Sequence, residues 1–276
     1  MDEGPRMNTL DVLTFNLNNP SRERAERQLA YLADRPEAVL VLTETADSAG
    51  CAFLATRFAA AGYDVEFQLP GSRGERGVMI VSKLATRPGP TTLGYLPHRC
   101  VSVTVDTDAG PLDVIGLYVP SRDASEEKKL RKRSFLEQCR RGIPEAGNRQ
   151  RLVIGDFNIL EPAHTPRYRF FQPFEYAFYE WLGEVGYQDA FRRLYPQVLE
   201  YSWVGRTGDG YRYDHAHASK ALADKLRECA YVHEVRTGED RLTDHSALTV
   251  SLAVQPAMPN HVTSVERAAE AAPALF

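Results

Sequence analysis

The chain has 276 residues, 43% hydrophobic and 25% charged, with a formal net charge of −4. This is the composition of a soluble globular protein long enough for one large α/β domain with a substantial core. It excludes nucleic-acid binding by bulk positive charge, so any such binding needs a local basic patch.

Leu10–Phe15 reads as a strand ending in the turn Asn16–Pro20. A helix follows from Ser21 as N-cap to about Ala33, with Ala25, Leu29 and Leu32 on one face. Ala38–Leu42 has the length of a buried strand and runs into Thr43-Glu44; a second helix spans about Ala52–Ala61 and closes at Gly62. Strands then dominate: Tyr63–Leu69, Gly77–Ser82, Cys100–Val105 and Leu112–Val119, the last two forming a hairpin. A charged helix over roughly Ala124–Arg141 leads into the apolar strand Arg151–Ile154. Glu161–Gln172 is a long loop, Phe174–Val185 a helix, and Tyr201–Trp203 and Tyr211–Ala218 are extended. The last strand is Ser246–Val254. One domain over 7–254 is expected, followed by a tail over 255–276 with no pattern that requires the core.

Cys51, Cys100, Cys139 and Cys229 have no CxxC spacing. Neither a disulfide framework nor a zinc site is supported, and buried free thiols in a reducing compartment are expected. The N-terminal residues are polar and no apolar run approaches a membrane span, so a cytoplasmic location is expected. No feature calls for an obligate protein partner.

Polar residues recur where apolar strands end: Asn16, Glu44, Tyr118, Asp156 and Asn158. Each alone has a plain structural alternative, as a turn former, a helix-start acid or a rim aromatic. Together they describe a site, because ligands gather where loops leave strand ends. Asp244-His245 opens the last strand. If that strand runs antiparallel to the one before Asp156 in one sheet, both motifs meet at one edge. Hard oxygen ligands with an imidazole nearby suit metal-assisted hydrolysis of a phosphate ester.

Thr14-Phe15-Asn16, Leu42-Thr43-Glu44-Thr45, Gly77–Lys83, Tyr118-Val119-Pro120, Gly155-Asp156-Phe157-Asn158, Tyr201-Ser202-Trp203, Arg212-Tyr213-Asp214 with Ser219, and Thr243-Asp244-His245 occur in this order. The series, spanning about residues 9–250, resembles the motifs of the endonuclease/exonuclease/phosphatase superfamily, metal-dependent phosphoesterases of exonuclease III-like and DNase I-like type. The resemblance implies a four-layer α/β sandwich of two packed mixed β-sheets flanked by helices. It implies Glu44 as the principal metal carboxylate, Asn16 beside it, and Asp244 as a further metal-site acid, with Mg²⁺ or Mn²⁺ as cofactor. Asp156 would orient the attacking water, Asn158 and Tyr118 would face the phosphate, and His245 would contact it, held by Asp214.

The second motif here ends Thr43-Glu44-Thr45-Ala46, where AP-endonuclease-like members usually read Gln-Glu-Thr-Lys, and Ser121 stands where many DNA-repair members have Asn. The resemblance therefore stops short of abasic-site repair. His215 and His217 stand where relatives have apolar residues and are expected to be structural or surface groups, not metal ligands. Lys128–Arg133 is expected to be a solvated helix face.

Arg167, Tyr168 and Arg169 follow the Gly155–Asn158 motif closely and are candidate substrate contacts, together with Trp203; stacking on bases plus phosphate contact would suit them. A packed loop is the equal alternative. The first functional reading is a metal-dependent phosphodiesterase acting as a nuclease on DNA or RNA. The alternatives are hydrolysis of a small phosphorylated metabolite or lipid headgroup, and a catalytically silent binding module.

Overall fold

Fourteen strands and seven helices are present among the described residues of this computed structural model, 9–72 and 74–266. The strands are β1 (Leu10–Asn16), β2 (Val39–Thr45), β3 (Asp64–Phe67), β4 (Gly77–Ser82), β5 (Thr86–Pro88), β6 (Cys100–Thr107), β7 (Gly110–Tyr118), β8 (Gln150–Asp156), β9 (Tyr187–Asp189), β10 (Trp203–Val204), β11 (Gly210–Tyr211), β12 (Asp214–Ser219), β13 (Leu226–Val232) and β14 (Ala247–Leu252). The helices are α1 (Arg22–Ala33), α2 (Ala49–Ala60), α3 (Glu126–Gly142), α4 (Pro173–Glu184), α5 (Ala190–Leu194), α6 (Lys220–Ala223) and α7 (Glu234–Thr237). The polar N-terminus, the expected domain start at residue 7 and residues 267–276 of the tail lie outside the described residues.

Two six-stranded mixed sheets form, in the orders β13-β14-β1-β2-β4-β3 and β5-β6-β7-β8-β12-β9. Val12, Val41, Ile80 and Val250 of the first sheet meet Val103, Val114, Ile154 and Ala216 of the second in one apolar layer. The opposite face of the first sheet is covered by Leu29, Leu32, Leu54 and Phe58 of α1 and α2, that of the second by Phe135, Leu136, Phe178 and Leu182 of α3 and α4. The four-layer sandwich is thus the architecture. At its centre Gly116 of β7 faces the other sheet so closely that a methyl there would lie 2.8 Å from both Val41 Cγ1 and Val78 Cγ1.

Ser21 caps α1 as expected, its hydroxyl accepting from the Arg24 amide, and the β6–β7 hairpin forms in full register. The strands before Asp156 and after His245 do not share a sheet: β8 lies in the second and β14 in the first. Their motifs meet across the sandwich instead. β13 escapes the alternation pattern because it is an edge strand with exposed Arg227 and Glu228 and a bulge at its start. The chain also does not leave the core at 254. Asn260 donates to the Lys83 carbonyl (2.8 Å), Thr263 to the Ala61 carbonyl (2.9 Å), and Val265 is buried against the α1/α2 layer. No helix among the described residues is long and apolar enough to cross a membrane, and all four cysteines are buried and free.

The 161–172 loop is tied down by buried charge. Glu161 accepts from Arg192 Nη2 (2.6 Å) and Arg212 Nε (3.1 Å), and Arg212 also donates to Asp189 (2.7 Å). Burial alone would raise the Glu161 carboxyl, but the two guanidiniums outweigh it and hold it down at about 2. A depressed folded-state value stabilises the fold above the unfolded value and is lost as pH falls toward the folded one. Glu161→Gln is expected to cost on the order of 3 kcal/mol at neutral pH. In thermal melts across pH, the gap to the wild type should be constant above about pH 5 and shrink toward pH 2. A gap independent of pH over that range would disprove the charge role.

Candidate active site

β7, β8 and β12 are neighbours, and their ends align: Tyr118 pairs with Asp156 in parallel register, and Asp214 with Asp156 in antiparallel register. Three of the candidate side chains therefore share one rung of the second sheet. The first sheet supplies the rest. Asn16 ends β1 opposite Thr43 of β2, and Thr243-Asp244-His245 enters β14. The sheets join through side chains: Asn16 Nδ2 donates to Asp156 Oδ2 (3.1 Å) and to Glu44 Oε1 (3.3 Å), and His245 Nδ1 lies 2.8 Å from Asp214 Oδ2.

Local backbone explains the motif residues. Gly155 has φ +151°, and a Cβ there would lie 2.0 Å from the Leu117 carbonyl oxygen, so only glycine fits before Asp156. Glu44 (φ 55°) and Asn158 (φ 49°) both adopt the left-handed region. For Glu this is uncommon and costs on the order of 1 kcal/mol; such strain concentrates at functional sites.

Asp156 is fully buried and accepts three hydrogen bonds: Asn16 Nδ2, the Asn158 amide (2.9 Å) and Asn158 Nδ2 (3.0 Å). Burial pushes its carboxyl well up, helped by the negative charges of Asp214 and Glu44 and opposed by His245. Burial would lower His245, but Asp214 and Asp156 override it and push the imidazole up to about 10. It is therefore an imidazolium at neutral pH, with Nδ1–H donated to Asp214. Burial and the charges of Glu44 and Asp156 raise Tyr118 well above its ordinary value, so it remains a phenol.

Ligand-capable atoms of Asp156, Asp214 and His245 lie within 4.8 Å of one another, and Asn16 links Glu44 to the same group. Clustered carboxylate oxygens fit a hard divalent cation. Asn16, expected beside Glu44 at the metal, instead turns its Nδ2 hydrogens to Glu44 and Asp156 and its Oδ1 to the Asn18 amide (2.8 Å), so it presents no oxygen to an ion. Glu44 and Asp156, linked through the Asn16 amide group, could hold such an ion. Asp244 stands beside His245, accepting from Asn18 Nδ2 (3.0 Å) and Trp203 Nε1 (3.3 Å).

Asn158 spends its amide hydrogens on Asp156 and on the Val119 carbonyl (3.1 Å). In this arrangement it orients Asp156 instead of reaching outward to a phosphate. The Arg/aromatic loop combines both alternatives. Tyr168 stacks on Tyr211 (4.4 Å) and donates to the Gly210 carbonyl, while Arg167 and Arg169 are exposed beside a cavity of about 480 Å³. Trp203, Tyr211 and Tyr213 continue the aromatic wall to His245, the last step spanning 6.4 Å.

Two positions escape sequence reasoning. Ser202 Oγ accepts the amides of Tyr213 (2.9 Å) and Asp214 (3.1 Å), while its carbonyl accepts from the Ser246 amide (2.7 Å). It ties Asp214 to His245 although they enter different sheets. Lys132 departs from the expected solvated face: it is buried, donates to the Asn158 carbonyl (2.6 Å) and pairs with buried Glu175 (2.7 Å). Lys128 and Lys129 do lie on the exposed side, paired with Asp123 and Glu126. Leu136 and Cys139, four and seven residues after Lys132, share its buried face and are the available signal.

No protein-family model matches the chain. It is 26% identical over 206 residues to exodeoxyribonuclease III of Haemophilus influenzae, covering 64% of this chain and 77% of that one. Its structure is similar to that of a 3′-5′ exonuclease, NExo, from Neisseria meningitidis (TM-score 0.74, 25% identity, 88% of this chain and 99% of the other). It is also similar to an AP endonuclease from Archaeoglobus fulgidus (TM-score 0.72, 25% identity, 88% and 99%).

The repulsion among buried carboxylates has a measurable consequence. In EDTA, Glu44→Gln should melt no lower than the wild type, because it removes one of the charges crowding Asp156. Saturating Mg²⁺ should raise the wild-type melting temperature and leave the variant nearly unchanged, since a ligand stabilises only the state that binds it. Equal Mg²⁺ shifts in both proteins would remove Glu44 from the metal site.

Proposed function

Since the chain belongs to the endonuclease/exonuclease/phosphatase superfamily, on its exonuclease III-like side, we propose that it is a divalent-metal-dependent hydrolase of phosphodiester bonds in DNA. The observation that carries this reading is the buried Asp156 carboxylate, held by two asparagines beside the Asp214–His245 pair. Mg²⁺ or Mn²⁺ is the proposed ion, held by Glu44 and Asp156. Bound there, it would act as a Lewis acid on the phosphate and stabilise the leaving oxygen.

The residues themselves divide the remaining work. Asp156 orients the attacking water and accepts its proton. His245 presents Nε2–H to a non-bridging phosphate oxygen, where negative charge grows in the transition state. Asp214 fixes the tautomer and angle of that ring. Asn16 and Asn158 keep Asp156 in one rotamer, and Tyr118 offers a neutral hydroxyl on the same rung.

The exposed Arg167 and Arg169 support DNA as substrate, with the Tyr168–Tyr211–Trp203 wall as the surface for an unstacked base. With Ala46 and Ser121 in place of the lysine and asparagine of abasic-site enzymes, exonuclease or 3′-phosphatase action is the proposed activity. The Neisseria meningitidis neighbour bears the first of those activities in its name. Four buried free thiols suit a reducing compartment such as the cytoplasm.

The test is hydrolysis of single- and double-stranded DNA, 3′-phosphorylated DNA and bis-p-nitrophenyl phosphate with Mg²⁺ or Mn²⁺. Activity should vanish in excess EDTA. Asp156→Asn and His245→Ala should each lower turnover by a factor on the order of a hundred or more. Asp214→Asn combined with His245→Ala should cost little more than His245→Ala alone, because the aspartate acts through the histidine. Full activity in EDTA, or a wild-type rate in His245→Ala, would overturn the assignment.

Arg167→Ala/Arg169→Ala should raise KM for DNA and flatten its log–log salt dependence by about one unit per lost contact. Its rate on bis-p-nitrophenyl phosphate should not change. No cleavage of any DNA by the intact protein, with hydrolysis of the small ester retained, would move the substrate to small phosphate esters.

A further inference from the structure

Behind the catalytic rung, on the opposite face of β12, lies a second group of ligating side chains that hydrolysis does not use. Strand alternation sends Asp214 one way and His215 and His217 the other. His217 pairs in register with Asp189 of β9, and atoms of Asp189, His215 and His217 that could hold a metal lie within 4.8 Å of one another. All three residues are buried, at 8%, 0% and 2% exposure. Of the two alternatives expected for the histidines, burial rules out a surface position and leaves an interior one.

The hydrogen bonds expose an imbalance. His215 Nε2 lies 3.2 Å from the Ile159 carbonyl, which can only accept, so Nε2 carries the proton. Nδ1 faces Asp189 Oδ2 at 3.5 Å without making a hydrogen bond, and that oxygen already accepts from Arg212 and Tyr179. Neither nitrogen of His217 has a hydrogen-bond partner, nor has His215 Nδ1, although all three atoms are buried. Each such orphan costs roughly 1–3 kcal/mol. Burial lowers His217 to about 3, so its ring is neutral and keeps a free lone pair. Phe157 stacks on that ring at 5.5 Å and Tyr179 meets it edge-on at 5.1 Å, which fixes its plane.

We propose that Asp189, His215 and His217 form a second metal site, for a transition-metal ion of the Zn²⁺ or Co²⁺ class, through His215 Nδ1, one nitrogen of His217 and an Asp189 oxygen. With bonds of about 2.0 Å, the ligand atoms of a tetrahedral ion stand about 3.3 Å apart. The 3.5 Å between His215 Nδ1 and Asp189 Oδ2 is already that edge. An ion there would engage His215 Nδ1 and a nitrogen of His217, buried atoms that no other group satisfies.

The charges around it select the metal. Asp189 Oδ2 also accepts from Arg212 (2.7 Å) and Tyr179 (2.9 Å), and Oδ1 from the Arg192 amide (2.9 Å). Arg212 is a competing cation, so the ion must draw its affinity from imidazole. That excludes Mg²⁺ and Ca²⁺ and favours ions late in the divalent series. The site is also joined to the catalytic one: His215 follows Asp214, and Ile159 follows Asn158.

The experiment uses the whole protein, freed of metal and then saturated with Mg²⁺ so that the catalytic carboxylates are filled. Dialysis against Co²⁺ should give one tightly held equivalent with the intense visible d–d bands of a tetrahedral ion. Zn²⁺ should displace it and raise the melting temperature. His217→Asn should abolish both effects. His217→Phe, which keeps a ring against Phe157, should do the same while keeping the wild-type far-UV spectrum. A wild-type protein that takes up no Co²⁺ beside Mg²⁺, or bands undiminished in both His217 variants, would overturn the proposal. The readout does not depend on hydrolysis, so it stands or falls apart from the proposed activity.

Discussion

Negative charge in the seam between the two sheets is the constraint on which the site depends. Asp156 and Asp214 occupy one rung of adjacent strands, out of water, with Glu44 close by. Such a group survives folding only if its charge is compensated. The His245 imidazolium answers Asp214, three hydrogen bonds answer Asp156, and the remaining surplus suits a divalent cation. The same surplus that is costly to the empty fold is what a phosphate ester and its metal require.

Compensation works because the sheets are held in fixed relation. Asn16 crosses from the first sheet to Asp156 in the second, and His245 crosses to Asp214. Ser202 binds the amide of one motif and the backbone of the other. Lys132 reaches from α3 to hold the Asn158 carbonyl from behind. Orientation is thereby set by several weak restraints from different elements, which is how a catalytic group is kept within a fraction of an ångström.

Much of this is legible in the residues, for definite reasons. Asn16, Glu44, Tyr118, Asp156 and His245 are visible because each ends or begins an apolar strand, and turns or caps that would explain one of them do not explain all of them together. The buried faces of β1, β2, β4 and β8 announce themselves by continuous apolar runs. What is not legible depends on pairing between distant segments. Nothing local says that β14 joins β1 and not β8, since both alternatives bring the same motifs to a strand end. The edge strand β13 carries charge where it meets solvent, and Lys132 looks like its basic neighbours until Glu175, forty-three positions later, is folded against it. Asn158 shows the limit of reading a role from a motif: its position is as expected, but its amide hydrogens turn inward.

Gly116 carries a consequence that reaches beyond its own surroundings. It is apolar and central, and it lets the sheets approach until Val41 and Val78 fill the space a side chain would take. It lies on β7 two residues before Tyr118, with its neighbour Ile154 two residues before Asp156. The separation of the sheets at this point therefore sets how far Asp156 stands from Asn16 and Asp214 from His245. A single added methyl would act as a shim, opening the seam and moving the two halves of the site apart without altering any reactive group itself. In this architecture the thickness of the hydrophobic layer is itself a parameter of the chemistry.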